Sequence, residues 1–174
     1  MQPDKRRAKR YAVTALKLAV AALAALFAAA QVVRPARTNP PAAPGRSIES
    51  HARMTPEVAG LLERSCDDCH SNRTDWPWYS NVAPASWFVV DHVNQGRRHL
   101  NFSDWARLDE DERDEMLDQI CIEAKKGAMP LESYTLLHRD AHLSSSDVKT
   151  LCDWARDERQ RIAAAQQSAP RSAR

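Results

Sequence analysis

Two thiols and an imidazole stand within five residues, in Cys66-Asp67-Asp68-Cys69-His70. Thiols three positions apart lie on the same side of a helical turn. Both can therefore add across the two vinyl groups of one porphyrin, each addition giving a thioether. The neighbouring imidazole then becomes an axial ligand of the iron. This C-x-x-C-H spacing is the attachment signature of a c-type haem. Other chemistries use similar residues but need different surroundings. A zinc ribbon wants a second close pair of ligands, whereas Cys121 and Cys152 each stand alone. A thioredoxin-like pair wants strand–helix–strand surroundings, and nothing near Cys66 alternates like a strand. A disulfide between Cys66 and Cys69 leaves His70 without a role. The pattern predicts one covalent haem c, attached at Cys66 and Cys69, with His70 on the iron.

The second axial position is open to several residues. Met129 leads, in Gly127-Ala128-Met129-Pro130. It follows a helix stop, and Pro130 stiffens the loop that carries it. A thioether ligand raises the reduction potential relative to two histidines. The rivals are His92, His99 or no ligand at all. Met54 precedes the domain and Met116 lies on an acidic helix, so both rank lower; His138 and His142 are read as capping or packing groups. Trp76, Trp78 and Tyr79 are expected as walls of the haem pocket. Arg97 and Arg98 either pair with the propionates, to which a planar guanidinium is matched, or lie on a solvated face.

Helices must position these groups. Thr55 is placed to cap a helix with Pro56 at its first position, and Val58, Leu61 and Leu62 give that helix an apolar face leading to Cys66. Further helices are expected over 85–96, 110–126, with Gly127 as the stop, and 131–138. A last helix follows Ser144, with Asp147 three residues on. Sustained alternation is absent, so a sheet is not expected. The predicted class is all-α: a small cytochrome c-like helical domain around one haem, preceded by an apolar N-terminal helix. Cys121 and Cys152 fall on the inner stripes of two of these helices. They are either two buried thiols or, in an oxidising compartment, a disulfide joining the helices.

The chain begins with MQPDKRRAKR, five basic residues against one acid. Residues 11–33 are apolar but for Lys17 and Gln31. A basic flank before an apolar run keeps the N-terminus in the cytoplasm and sends the rest out. The run is long enough to cross a hydrocarbon core of about 30 Å. It is read as an anchor in the inner membrane, holding the remainder on the periplasmic side. The alternative is a signal peptide cleaved near Ala28-Ala29-Ala30 and a secreted periplasmic product. Residues 34–54, rich in proline, read as a linker. Residues 55–162 read as the haem-binding domain and 163–174 as a disordered tail. The overall charge of +2 misleads. Residues 50–162 hold 14 Lys/Arg against 21 Asp/Glu, a balance near −7. A nucleic-acid role is therefore not expected, and a redox partner with a basic docking patch suits the domain better. The acidic run 109–118 either serves that docking or is a solvated helix face.

Several motifs in order extend the pattern: CDDCHS, WPWYSNVAP, HVNQGRRHLNFSDW, GAMP, SYTLLH and LCDW. Together, from about residue 63 to 154, they resemble the haem-binding domain family of small exported bacterial proteins. The resemblance implies covalent haem c on Cys66 and Cys69, iron ligation by His70, and Met129 as the second ligand. The function expected is single-electron transfer by a membrane-tethered monohaem cytochrome, a carrier rather than an enzyme. A haem-based redox or gas sensor and a peroxidase-like enzyme are the alternatives. The sensor needs an open or labile second position; the peroxidase needs an open one with an acid–base group beside it, for which His92 is the candidate.

Overall fold

The computed structural model describes residues 5–168. Seven α-helices are joined by loops and short 3-10 turns, with no strand among the described residues. The first helix, α1 (Lys5–Ala30), is mostly apolar from residue 11 onward, with Lys17 its one charged residue there. Its 26 residues span about 39 Å at 1.5 Å per residue. None of its apolar window is buried in the protein, and it is long and apolar enough to cross a membrane. The helix includes most of the basic flank, beginning at Lys5; residues 1–4 lie outside the described residues.

The chain divides into two compact units. One joins α1 and the residues up to Arg37 to the segment Pro77–Asp91. Within it Gln31 makes two hydrogen bonds with the backbone of Ala83. Its Nε2 donates to the carbonyl at 3.1 Å, and its Oε1 accepts from the amide at 3.0 Å. Trp87 Nε1 donates to the Val33 carbonyl at 2.7 Å.

The other unit comprises Thr38–Trp76 and the residues from His92 on. It starts inside the stretch expected to be linker. Ile48 explains why: it is 2% exposed, in a 3-10 turn over Ile48–Ser50, and joins the core with Phe102, Trp105 and Leu151. Arg46 adds an ion pair with Asp104 at 2.6 Å. A chain rich in proline but carrying one well-placed isoleucine packs as part of the domain.

Helix α2 (Pro56–Ser65) starts on Thr55, whose hydroxyl accepts from the Val58 amide. It is followed by the single turn α3 (Asp67–His70) and, further on, by α4 (Ala85–His99). The longer α5 (Glu110–Lys126) begins with a reciprocal cap between Asp109 and Glu112. It stops at Gly127, whose φ of 65° is the left-handed conformation that glycine adopts without strain. Helix α6 covers only Glu132–Thr135, one turn of the longer helix expected there. Helix α7 (Ser145–Ser168) is capped by Ser144 and Asp147 and runs past the expected end at 162. Residues 169–174 of the expected tail lie outside the described residues.

Helices α5 and α7 pack along each other. Arg159 of α7 reaches across to Asp114 and Asp118 of α5. Cys121 and Cys152 are bonded, with sulfurs 2.07 Å apart.

Candidate functional site

The end of α2 delivers the first thiol. Cys66 sits between α2 and α3, its amide still bonded to the Leu62 carbonyl at 2.9 Å. Its own carbonyl accepts from the amides of Cys69 (3.1 Å) and His70 (2.9 Å). These bonds close one helical turn and bring both thiols to one side of it.

The turn is tied down from several directions. Asp68 accepts from the Asp75 amide and from the Tyr134 hydroxyl, at 2.8 and 2.7 Å. Asp67 pairs with Arg73 at 2.6 Å, and Arg73 also reaches Glu49 at 2.7 Å. Burial raises the Asp67 carboxyl above its ordinary value, against the opposing pull of Arg73. Arg97 holds the stretch after the motif. Its guanidinium donates to the carbonyls of Ser71 and Thr38 and to the side chains of Asn39 and Thr74, each at 2.7–2.8 Å.

Gly96 allows α4 to lie directly on this turn. A Cβ at position 96 would fall 2.5 Å from the Cys69 carbonyl oxygen, closer than side-chain carbon and backbone oxygen can approach. The glycine is therefore needed for its missing side chain, within an otherwise regular helix.

Cys66, Cys69 and His70 open onto a largely apolar cavity of about 440 Å³. Cofactor pockets span roughly 300–1,000 Å³. Helix α4 lines it with His92, Gly96 and His99, and α5 with Met116, Ile120 and Ala124. The loop beyond α5 supplies Met129 and Pro130. His70 Nδ1 lies 3.0 Å from the Leu100 carbonyl. A carbonyl can only accept, so Nδ1 carries the proton and Nε2 keeps its lone pair. A partner of this kind on the far nitrogen is usual for an imidazole that ligates metal. Burial holds the His70 pKa below the ordinary value, which favours the neutral ring.

Burial favours the neutral form of both thiols as well. Burial, the charge of Asp67 and then Cys69 push Cys66 up to about 12. Burial and the charge of Asp68 push Cys69 up to about 11, with Arg97 opposing. Among the described residues no group of three His, Cys, Asp or Glu is placed to hold a bare metal ion. An apolar cavity with two protonated thiols, one imidazole of fixed tautomer and a thioether fits a haem.

The sequence-derived residues divide. Cys66, Cys69, His70 and Met129 line one cavity, with Met129 39% exposed at its edge. His92 and His99 line it too. Trp76, Trp78 and Tyr79 do not. Trp76 instead lies under Arg97, whose guanidinium carbon is 6.0 Å from the ring centre. Trp78 and Tyr79 belong to the other unit, packed edge to face 5.8 Å apart. Their position next to the motif in sequence gave no measure of where the loop turns away. Arg97 is committed to the loop after His70 and not to a cavity wall. Met116, ranked low as a ligand because its helix is acidic, also lines the cavity. Gly96 and the Leu100 carbonyl were not among the residues singled out from the sequence. Gly96 carried a signal, an isolated glycine inside a helical pattern; a backbone acceptor carries none.

The model of the haem-binding domain family matches residues 25–157, most of the chain. No curated protein and no solved structure matches it. The chain belongs to the haem-binding domain family.

Proposed function

We propose that this member of the haem-binding domain family carries one covalent haem c and passes single electrons at a membrane surface. Haem binding follows from the family. The finer reading rests above all on one observation. Cys66, Cys69 and His70 face one apolar cavity, with His70 Nδ1 engaged by Leu100 and Nε2 left as a lone-pair donor.

When bound, the haem supplies a one-electron couple at its iron. The chain's residues do the rest. Cys66 and Cys69 would tether the group as thioethers, each thiol S–H adding across one vinyl double bond. His70 would hold the iron through Nε2, and Met129 through its sulfur. Ile120, Ala124 and Leu151 exclude water, which keeps reorganisation small when the charge changes. The exposed acids Glu110, Asp111 and Glu115 of α5 offer a docking face to a basic redox partner. Asp114 and Asp118 are committed to Arg159. We read α1 as a retained anchor, with the haem unit on the periplasmic side.

A sensor or peroxidase is the second reading, favoured by His92 on the cavity wall and by Met129 at its edge. The variant Met129→Ala separates the two. Electron transfer predicts that it converts a low-spin ferric spectrum to high-spin. A spectrum that is already high-spin in the unaltered chain would support the second reading.

A further inference from the structure

A second, smaller cavity of about 170 Å³ lies in the unit that contains α1, and it shares no residue with the haem cavity. Arg34, Arg37, Ser80, Asn81 and Ser86 line it together with Pro35. Its polar groups are incompletely used. Ser86 is 3% exposed, yet its hydroxyl has no hydrogen-bond partner. Buried hydroxyls are ordinarily paired, so this one marks a place that a ligand completes. Arg34 spends only Nε, on the Gln31 carbonyl at 3.1 Å. Arg37 spends Nη1 on the Ser80 hydroxyl at 3.3 Å. Neither arginine pairs with a carboxylate among the described residues. Two unneutralised guanidinium forks beside a buried hydroxyl make a site for a phosphate.

The location decides which phosphate. Residues 31–37 directly follow the helix that is long enough to span a bilayer. Gln31 and Val33 are bonded to Ala83 and Trp87, which fixes the segment around 78–88 to the helix end. That segment exposes Trp78 (77%), Trp87 (40%) and Phe88 (52%). Aromatic residues with one polar end concentrate at headgroup level, where a span leaves the hydrocarbon. Basic residues there attract anionic lipids.

From this geometry we propose that the cavity at the end of α1 binds the phosphate of an anionic phospholipid. The proposal rests on reading α1 as a retained anchor. Full-length, haem-loaded protein in detergent is given phosphatidylglycerol, phosphatidylcholine or inorganic phosphate, and bound lipid is counted by native mass spectrometry. Phosphatidylglycerol is expected to bind roughly tenfold more tightly than phosphatidylcholine. Arg34→Gln with Arg37→Gln removes that preference, while Arg34→Lys with Arg37→Lys keeps most of it. Ser86→Ala weakens phosphatidylglycerol binding severalfold, an independent reading should the arginine pair be needed for folding; haem absorbance reports folding in each case. Equal binding of both lipids, or a preference untouched by the glutamine pair and by Ser86→Ala, overturns the proposal. Displacement of lipid by millimolar inorganic phosphate overturns it in favour of a free-anion site. The same spectra weigh the chain. A protein beginning after residue 30 removes the anchor reading and the lipid site together, whereas a full-length protein without lipid preference removes the lipid site alone.

Discussion

Single atoms set the character of the cavity that Cys66, Cys69 and His70 line. One carbonyl, that of Leu100, decides which His70 nitrogen is free, and one absent methyl group, at Gly96, decides whether α4 can rest on Cys69. Gly96→Ala places a carbon against backbone, which cannot turn aside as a side chain can. Overpacking of this kind costs about 1–3 kcal/mol. A lowered thermal midpoint with less haem retained is expected, and an unchanged midpoint would show that α4 can shift freely. Arg97→Gln removes charge-assisted bonds to two carbonyls, each worth about 1.5–3 kcal/mol. The midpoint should fall, as followed by circular dichroism, with the spectrum of any retained haem little altered. A changed ligand spectrum would instead put Arg97 at the haem. That Cys66, Cys69, His70 and Met129 come to one cavity was legible in the sequence, because side chains carry that pattern. Contributions from backbone atoms and from an absent side chain were not, because residue types do not encode which carbonyl an imidazole meets.

Helices convert these atoms into a site. The pairing of α5 with α7 holds one wall, through Cys121–Cys152 and the bonds from Arg159 to Asp114 and Asp118. The disulfide closes a loop with a sequence separation of 31 residues, and losing such a bond costs about 2–4 kcal/mol. Cys121→Ser with Cys152→Ser should therefore lower the denaturant midpoint while leaving the haem spectrum intact. A lost methionine signature would mean that the bond also positions the loop of Met129. At the start of α7, the Ser144 amide and hydroxyl and Arg64 hold the Asp147 carboxyl below its ordinary value. Its contribution is present above the unfolded value of 3.8 and is lost as pH falls through the lower folded value. The thermal midpoints of the parent and Asp147→Asn should thus differ at neutral pH and converge in strong acid. A gap that persists there would assign the effect to shape instead of charge. Helix positions were readable because caps and apolar spacing are local: Thr55, Ser144 and Gly127 all mark ends where the structure has them. Loop destinations are not local, and so the sequence carries no measure of where Trp76, Trp78 and Tyr79 lie: Trp76 is under Arg97, and Trp78 packs edge to face on Tyr79.

At the scale of the whole molecule, charge and hydrophobicity are distributed in opposite senses along the chain. Basic and apolar residues fill the N-terminal helix, while residues 50–162 carry a balance near −7. Electron exchange with a basic partner should accordingly slow severalfold as ionic strength rises past the screening range. A salt-independent rate would exclude docking through the acidic face of α5. The division was visible from composition alone, but the membership of Ile48 in the core and of Pro77–Asp91 in the unit of α1 depends on contacts distant in sequence. The central claim is a covalent haem held between His70 and Met129, and optical spectroscopy before and after acid–acetone extraction tests it most directly. Haem that stays with the protein, together with a ferric methionine-to-iron charge-transfer band that Met129→Ala abolishes, is the predicted result. Haem that leaves in the acetone, or a band untouched by Met129→Ala, would contradict it.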